Sequence, residues 1–398
     1  MRYPCGRRIG EVARFARCDE DDLVKYVPRV ALFLGIPALL FLLPWWLLVY
    51  CTSSGPLLWA GSAVFLLGFV CLPAGLLLGH GPRQSDAAVI VGDTLLGAVW
   101  VLFSWSVIGA VVRAGLTVAG VDDPARSRLV AVGVLAVWAA LLVWGTVEAR
   151  RVPRVRTVEV TIPGLGRGLD GLRAVVITDT HFAALDRLRW SRRVVEVVNA
   201  QRPDIVCHAG DLADGPVARR RAQVEPLGKV EAGLGRFYIT GNHEYFGDAL
   251  GWIECLTALG WRPLRNQHEI VERGGDRLVI AGIDDPTGVA LDGHGPDLPA
   301  ALAGAPDVPV VLLAHQPKQI SAAVEAGVAL QISGHTHGGQ IWPFHYLVRL
   351  DQPVVAGLSR HGERTQLYTS RGTGFWGPAL RVFAPSEITV LVLRAPTP

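Results

Sequence analysis

The chain has 398 residues, more than one hydrophobic core is normally built from, so at least two folding units are expected. Half of the residues are apolar and 18% are charged, with most of the apolar excess ahead of Glu148, which excludes a uniformly soluble globule. The formal charge of +3 is small and the basic residues are dispersed after Arg156, which excludes the basic face that a nucleic-acid backbone requires. Six cysteines without a C-x-x-C spacing indicate neither a disulfide framework nor a zinc ribbon.

In chain order, a segment 1–29 rich in arginine precedes four apolar stretches, 30–51, 57–79, 89–112 and 129–147. Each is about the 20 residues needed to cross a bilayer core, so four transmembrane helices are expected. Trp45, Trp46, Trp59 and Trp144 lie near the ends, at headgroup level, whereas Trp100, Trp105 and Trp138 lie deeper and read as helix packing. The first stretch is longer than the core of a signal peptide and is followed by others, so it reads as a retained span. Arg2, Arg7, Arg8, Arg14, Arg17, Lys25 and Arg29 precede span one, Arg83 follows span two, and Arg150, Arg151, Arg154 and Arg156 follow span four. Only Arg113, Arg126 and Arg128 stand on the other side, so the positive-inside rule places both termini, and with them the C-terminal domain, in the cytoplasm of a multi-pass cell-membrane protein. Asp93, near the start of span three, reads as an interfacial acid at a helix end; the alternative is an intramembrane carboxylate for a proton or ligand.

A basic linker, 148–157, leads to short apolar runs separated by Gly, Pro and Asp. Runs at 174–177, 205–207, 237–239, 278–281, 308–314 and 330–332 have the length of buried strands, and 388–393 that of a closing strand. Stretches 191–200 and 318–326 have helical spacing between them, so an α/β domain is expected over 158–398.

The chemistry sits directly after these strands. Thr178-Asp179-Thr180-His181 follows the first, Gly210-Asp211-Leu212-Ala213-Asp214 the second and Gly241-Asn242-His243-Glu244 the third; His315 and Gly334-His335-Thr336-His337-Gly338-Gly339-Gln340 follow later ones. The C-terminal ends of strands are where open α/β sheets place ligands. Imidazole and carboxylate suit borderline divalent metals. Two metals about 4 Å apart neutralise phosphoryl oxygens and activate water for attack. Read as extended chain, D-x-H and H-x-H each put two ligands on one face through period-two alternation. Glycines before Asp211, Asn242 and His335 allow tight turns.

The ordered set D-x-H, G-D-x-x-D, G-N-H-E, His315 and G-H-T-H resembles the calcineurin-like metallophosphoesterase superfamily across roughly 158–394. The extension G-H-T-H-G-G-Q-I, with Ser370-Arg371-Gly372 and Trp376-Gly377-Pro378, is similar to its membrane-associated bacterial branch. The resemblance implies an αββα sandwich of two facing mixed sheets and two divalent metal ions, Mn, Fe or Zn. It implies Asp179, His181, Asp211 and His337 on one metal and Asp211, Asn242, His315 and His335 on the other. It further implies His243 as general acid or transition-state stabiliser, oriented by Asp214, in the hydrolysis of a phosphomonoester or phosphodiester by a metal-activated hydroxide. Thr178 and Thr180 depart from the usual Ser and Leu without touching a ligand, and Gly215 replaces the Arg of protein phosphatases, which weakens a protein-phosphatase reading.

Glu244 reads as a helix cap or as a support for a ligand, with the cap favoured. Arg371 meets either a substrate phosphate or a surface carboxylate. Trp342, Phe375 and Trp376, with Pro343 and Pro378, form either an apolar rim or ordinary core. His208, His268, His294, His345 and His361 match no motif and read as surface or structural. Membrane tethering suggests a lipid-linked phosphate as substrate. The alternative from another class is a membrane sensor or scaffold that binds ligand without turnover.

Overall fold

The computed structural model describes residues 35–81 and 83–396. The expected cytoplasmic segment 1–29 and the start of the 30–51 span lie outside the described residues. Helix α1 is described over Gly35–Tyr50, and α2 (Gly55–His80), α3 (Asp86–Val118) and α4 (Ala125–Arg150) follow. Among the described residues, three helices, α2 to α4, are long and apolar enough to cross a membrane, and α1 is shorter. The three overrun the expected spans 57–79, 89–112 and 129–147 at both ends. At 1.5 Å per residue the 33 residues of α3 reach about 50 Å, well beyond a hydrocarbon core of about 30 Å. The surplus is used: its N-terminal part packs on the second half of the chain.

That half holds two six-stranded sheets. One has the order β1-β12-β2-β3-β4-β5, with β1 (Arg154–Thr161), β2 (Leu172–Ile177), β3 (Ile205–Ala209), β4 (Gly235–Ile239), β5 (Arg262–Pro263) and β12 (Glu387–Arg394). The other has the order β10-β11-β9-β8-β7-β6, with β6 (Gln267–Arg273), β7 (Asp276–Gly282), β8 (Val310–Leu313), β9 (Leu330–Ser333), β10 (Gly357–His361) and β11 (Thr365–Thr369). Both are mixed: β2, β3 and β4 are parallel while β12 is antiparallel to β2, and β7, β8, β9 and β11 are parallel while β6 and β10 are antiparallel edges. The C-terminal strand does not close an edge; it inserts between β1 and β2, parallel to the first and antiparallel to the second.

Alternation along each strand sorts the layers. Ala174, Val176, Cys207 and Phe237 point inward to meet Leu278, Ile280, Val311 and Ile332 of the facing sheet. Val175, Ile177, Val206 and Tyr238 point outward to Trp190 and Val194 of α5 (Leu188–Ala200) and Trp252 and Leu256 of α8 (Ala249–Ala258). On the other outer face Val279 and Leu312 meet Ala301 of α9 (Leu298–Leu302) and Ala323 of α10 (Ile320–Glu325). The result is a four-layer α/β/β/α arrangement whose central strands are buried on both faces, which is why they read as unbroken apolar runs.

The two halves are packed together. Trp100 Nε1 of α3 donates to Ile341 O at 3.2 Å, Trp105 lies 6.0 Å from Trp342, and Trp144 of α4 lies 5.6 Å from Phe383. Arg220 of α6 (Val217–Val224) grips Asp86, at the start of α3, with both guanidinium nitrogens at 2.9 and 2.5 Å. Within segment 148–157, α4 ends at Arg150, β1 begins at Arg154, and the buried Glu148 pairs with Arg151 and Arg154.

Candidate metal centre

Five loops leaving β2, β3, β4, β8 and β9 converge on one place. Asp179, His181 and His337 bring ligand atoms within 4.8 Å of one another, as do Asp211, His315 and His335, and as do His181, Asp211 and His243. Asn242 joins through its Oδ1, 2.9 Å from His335 Nδ1. All seven candidate ligands and both members of the His243–Asp214 pair are therefore assembled in one site, with Asp211 common to two of the clusters.

Local geometry differs from the extended chain expected for D-x-H and H-x-H. Asp179, His181, Asp211, His335 and His337 all have positive φ, between 42° and 70°, where non-glycine residues are strained by about 1–3 kcal/mol each. Successive left-handed turns aim Asp179 and His181 together, and they separate His335 from His337, which face different clusters. Period-two alternation is thus replaced by turns that strand geometry does not produce. The glycines serve close approach: a Cβ on Gly241 would lie 2.2 Å from Asp211 Oδ1, and one on Gly334 2.2 Å from Asp179 Oδ2.

The donor set fits divalent cations. Asp179 Oδ2 and His315 Nε2 are buried without a hydrogen-bond partner, although His315 Nε2 lies 3.2 Å from Asp211 Oδ2, off the line of a bond. His181 Nε2 and His337 Nε2 face each other at 3.0 Å, two nitrogens of the kind that share a cation. Burial alone would raise Asp211, but His315, His243 and His181 around it hold its carboxyl well below the ordinary range. An ionised, shared carboxylate between two imidazole clusters is what bridging two cations requires.

Asp214 Oδ1 takes His243 Nδ1 at 2.7 Å and His181 Nδ1 at 2.9 Å. Burial opposes ionisation of Asp214, yet the two imidazoles outweigh it and keep the carboxyl far below its usual range. Burial likewise opposes charge on His243, but Asp211 and Asp214 lift the imidazole to about 9. With Nδ1 engaged, Nε2 is the atom that holds the transferable proton.

Glu244 is completely buried and does more than cap. It accepts the Gly241 N–H at 2.5 Å, as a cap does, and also those of Leu212 at 2.6 Å and Asp211 at 3.1 Å, tying the second loop to the third. Sequence reasoning passes over Arg381, which is fully buried and donates to the carbonyls of His337, Arg371, Gly374 and Ala384 while its Nη2 lies 3.2 Å from His337 Nδ1. It also passes over Arg187, buried over the Trp190 ring at 3.6 Å. Neither belongs to a motif, and an isolated arginine carries no signal of burial. Arg371 makes no side-chain ion pair among the described residues, and its stem packs on Gly338. Of the aromatic candidates, Phe375 is core, Trp342 packs on α3, and Trp376 is half-exposed beside His243, 5.9 Å away.

Two facing mixed sheets with a two-cluster His/Asp/Asn site at their strand ends define a metallophosphoesterase, and residues 172–339 match the calcineurin-like phosphoesterase family. The chain belongs to that family: it is 33% identical over 340 residues to the uncharacterized metallophosphoesterase Cj0846 of Campylobacter jejuni, across 84% of this chain and 89% of that protein. That likeness is longer than the segment 158–398 and so reaches into the apolar half. A transmembrane protein with metallophosphoesterase domain from Danio rerio is 40% identical over 269 residues, 65% of this chain. The uncharacterized metallophosphoesterase YkuE of Bacillus subtilis is 31% identical over 253 residues, 61% of this chain and 86% of that protein. The chain spans 62% of the Danio rerio relative and 66% of its Bos taurus counterpart.

Proposed function

We propose that this chain is a membrane-anchored, metal-dependent phosphoesterase that hydrolyses a phosphomonoester or phosphodiester, with a lipid-linked phosphate as substrate. The observation that carries the reading is the pair of ligand clusters sharing Asp211 with the His243–Asp214 pair alongside. Asp179, His181, Asp211 and His337 hold one divalent cation, and Asp211, Asn242, His315 and His335 the other; Mn, Fe and Zn all suit these donors. When bound, the cations neutralise phosphoryl charge and supply an activated water. The protein's own part is to position and to move a proton. His243 donates from Nε2 to the leaving oxygen, Asp214 fixes its ring and balances its charge, and Glu244 and Arg381 hold the loops that carry the ligands.

The membrane reading takes the apolar stretch 30–51 as a fourth crossing, with both termini and the domain 158–398 in the cytoplasm. The arginine bias at the span ends supports that orientation. Support for a lipid comes from a cleft of about 510 Å³ that reaches from Asp211, Asn242, His335 and His337 to Leu96 and Trp100 of α3.

The test is hydrolysis of bis-p-nitrophenyl phosphate and p-nitrophenyl phosphate by the purified full chain. Turnover is expected with added Mn and not after chelation; Asp211→Asn abolishes it, and His243→Ala lowers kcat by about 10²–10⁴. Metal-loaded protein with no turnover of either ester, or with full activity in the Asp211→Asn variant, refutes the reading.

A further inference from the structure

The site has two chambers, and His243 stands between them. The apolar cleft carries Asp211, Asn242, His335 and His337 on its wall and runs on along Trp100, Phe344 and Leu347. A second chamber, of about 410 Å³, includes Asp214 but none of those four metal-site residues. His243, Phe246 and Trp376 line both. A substrate that spans both chambers therefore passes His243, the proposed proton donor to the leaving group.

The second chamber carries more charged side chains than the cleft, among apolar ones, and is built where the membrane helices end. His80 of α2, Asp86 and Asp93 of α3, and Arg150 of α4 meet Arg187, Arg219 and Arg220 of the catalytic half. The acids are already engaged. Asp86 holds Arg220 at 2.9 and 2.5 Å, Asp93 lies 2.9 Å from His80 Nε2, and Asp214 holds two imidazoles. The arginines are not all engaged. Arg150 has no carboxylate partner among the described residues, and Arg219, which donates from Nη1 to the Gln84 carbonyl, comes no closer than 4.0 Å to Asp86. Arg187, 6% exposed, donates from Nη1 to Thr180 O at 2.8 Å and stacks on the Trp190 and Phe375 rings, while its buried Nη2 has no hydrogen-bond acceptor. A buried guanidinium N–H without an acceptor is costly unless a ligand supplies one.

Resting on the phosphoesterase reading above, we propose that the substrate is a membrane phosphodiester lipid with an anionic or polyol headgroup, cleaved between phosphorus and the headgroup oxygen. The chains lie in the apolar cleft beside α3, the phosphate lies at the metal-site residues, and the headgroup fills the arginine-lined chamber. Water adds across the bond: its oxygen bonds to phosphorus and the phosphorus–headgroup bond breaks with its electron pair on the headgroup oxygen. That oxygen takes the proton of His243 Nε2, and a proton from the water restores it. The products are a lipid phosphate, retained in the membrane, and a soluble alcohol. The four arginines of the chamber disfavour a quaternary ammonium and favour hydroxyls or negative charge.

The experiment uses the full chain with Mn in detergent micelles of phosphatidylglycerol or phosphatidylcholine, in ¹⁸O-labelled water, with bis-p-nitrophenyl phosphate in parallel. Phosphatidic acid carrying the label, with unlabelled glycerol, is expected from phosphatidylglycerol, at a rate at least tenfold above that with phosphatidylcholine. Diacylglycerol with glycerol phosphate, equal turnover of both lipids, or hydrolysis of bis-p-nitrophenyl phosphate while phosphatidylglycerol is untouched overturns the proposal and leaves the phosphoesterase reading standing. Failure to hydrolyse bis-p-nitrophenyl phosphate and p-nitrophenyl phosphate as well as the lipids removes both.

Discussion

Asp214 serves two histidines through one oxygen, which makes it the most economical position at which to separate assembly from catalysis. In Asp214→Asn the amide oxygen still accepts one N–H, but the negative charge that steadies a protonated His243 is gone. We expect kcat for bis-p-nitrophenyl phosphate to fall by about 10–100-fold while bound metal stays close to that of the wild type. Unchanged kcat would mean that the pair at 2.7 Å is structural only. His208, one of the histidines that match no motif, is completely buried against Tyr238 and Trp261, its ring 5.7 and 6.3 Å from theirs. Burial holds it neutral down to about 3. An unfolded histidine titrates near 6.5, so below that pH the unfolded chain binds a proton that the folded chain refuses, and stability present above pH 6.5 is lost as pH falls toward 3. Urea unfolding of metal-stripped protein should lose about 2 kcal/mol from this residue between pH 6.5 and 5. His208→Gln, which keeps a partner for Thr180, should flatten that slope, and identical slopes would contradict the assignment. At this scale the candidate ligands were legible because motif residues follow each strand directly. Arg381 and Arg187 were not, since what buries them comes from residues remote in the chain.

Between elements, the contact of α4 with the segment after Pro378 is the most exacting. Gly145 O accepts the Arg381 N–H at 3.0 Å, and a Cβ at Gly145 would lie 2.8 Å from Leu380 Cδ1 and 3.0 Å from the Arg381 carbonyl. Gly145→Leu must therefore push α4 off a segment whose arginine supports His337, at a cost of about 1–3 kcal/mol. Gly133→Leu, on the same helix with nothing within 4 Å, is the matched control. Denaturant unfolding followed by tryptophan fluorescence should show the first variant destabilised and the second near wild type; equal midpoints would mean that the helix does not bear on the catalytic half. Legibility at this scale followed burial. β2, β3, β7, β8 and β9 lie between layers and announce themselves as apolar runs. β1, an edge strand with Arg154, Arg156 and Glu159 in its sequence, and β10, an antiparallel edge containing Arg360, alternate or break the pattern and gave no such run. The left-handed turns at Asp179 and His181 were also hidden, because a D-x-H triplet is equally compatible with extended chain.

For the molecule as a whole, the long apolar helices are part of the site's surroundings: α3 walls the cleft, and the ends of α2, α3 and α4 contribute to the chamber beside His243. None of this was readable from sequence, where the partners Trp100 and Ile341 stand 241 residues apart and composition separates the two halves instead of joining them. The dinuclear centre is the claim on which the rest depends, and metal content tests it most directly. Full-length protein should be stripped, reloaded with Mn(II), freed of excess and measured by inductively coupled plasma mass spectrometry beside Asp211→Asn, which removes the charge of the shared carboxylate. Two equivalents per chain in the wild type and at most one in the variant is the predicted result; one equivalent or none in a hydrolytically active wild type would contradict it.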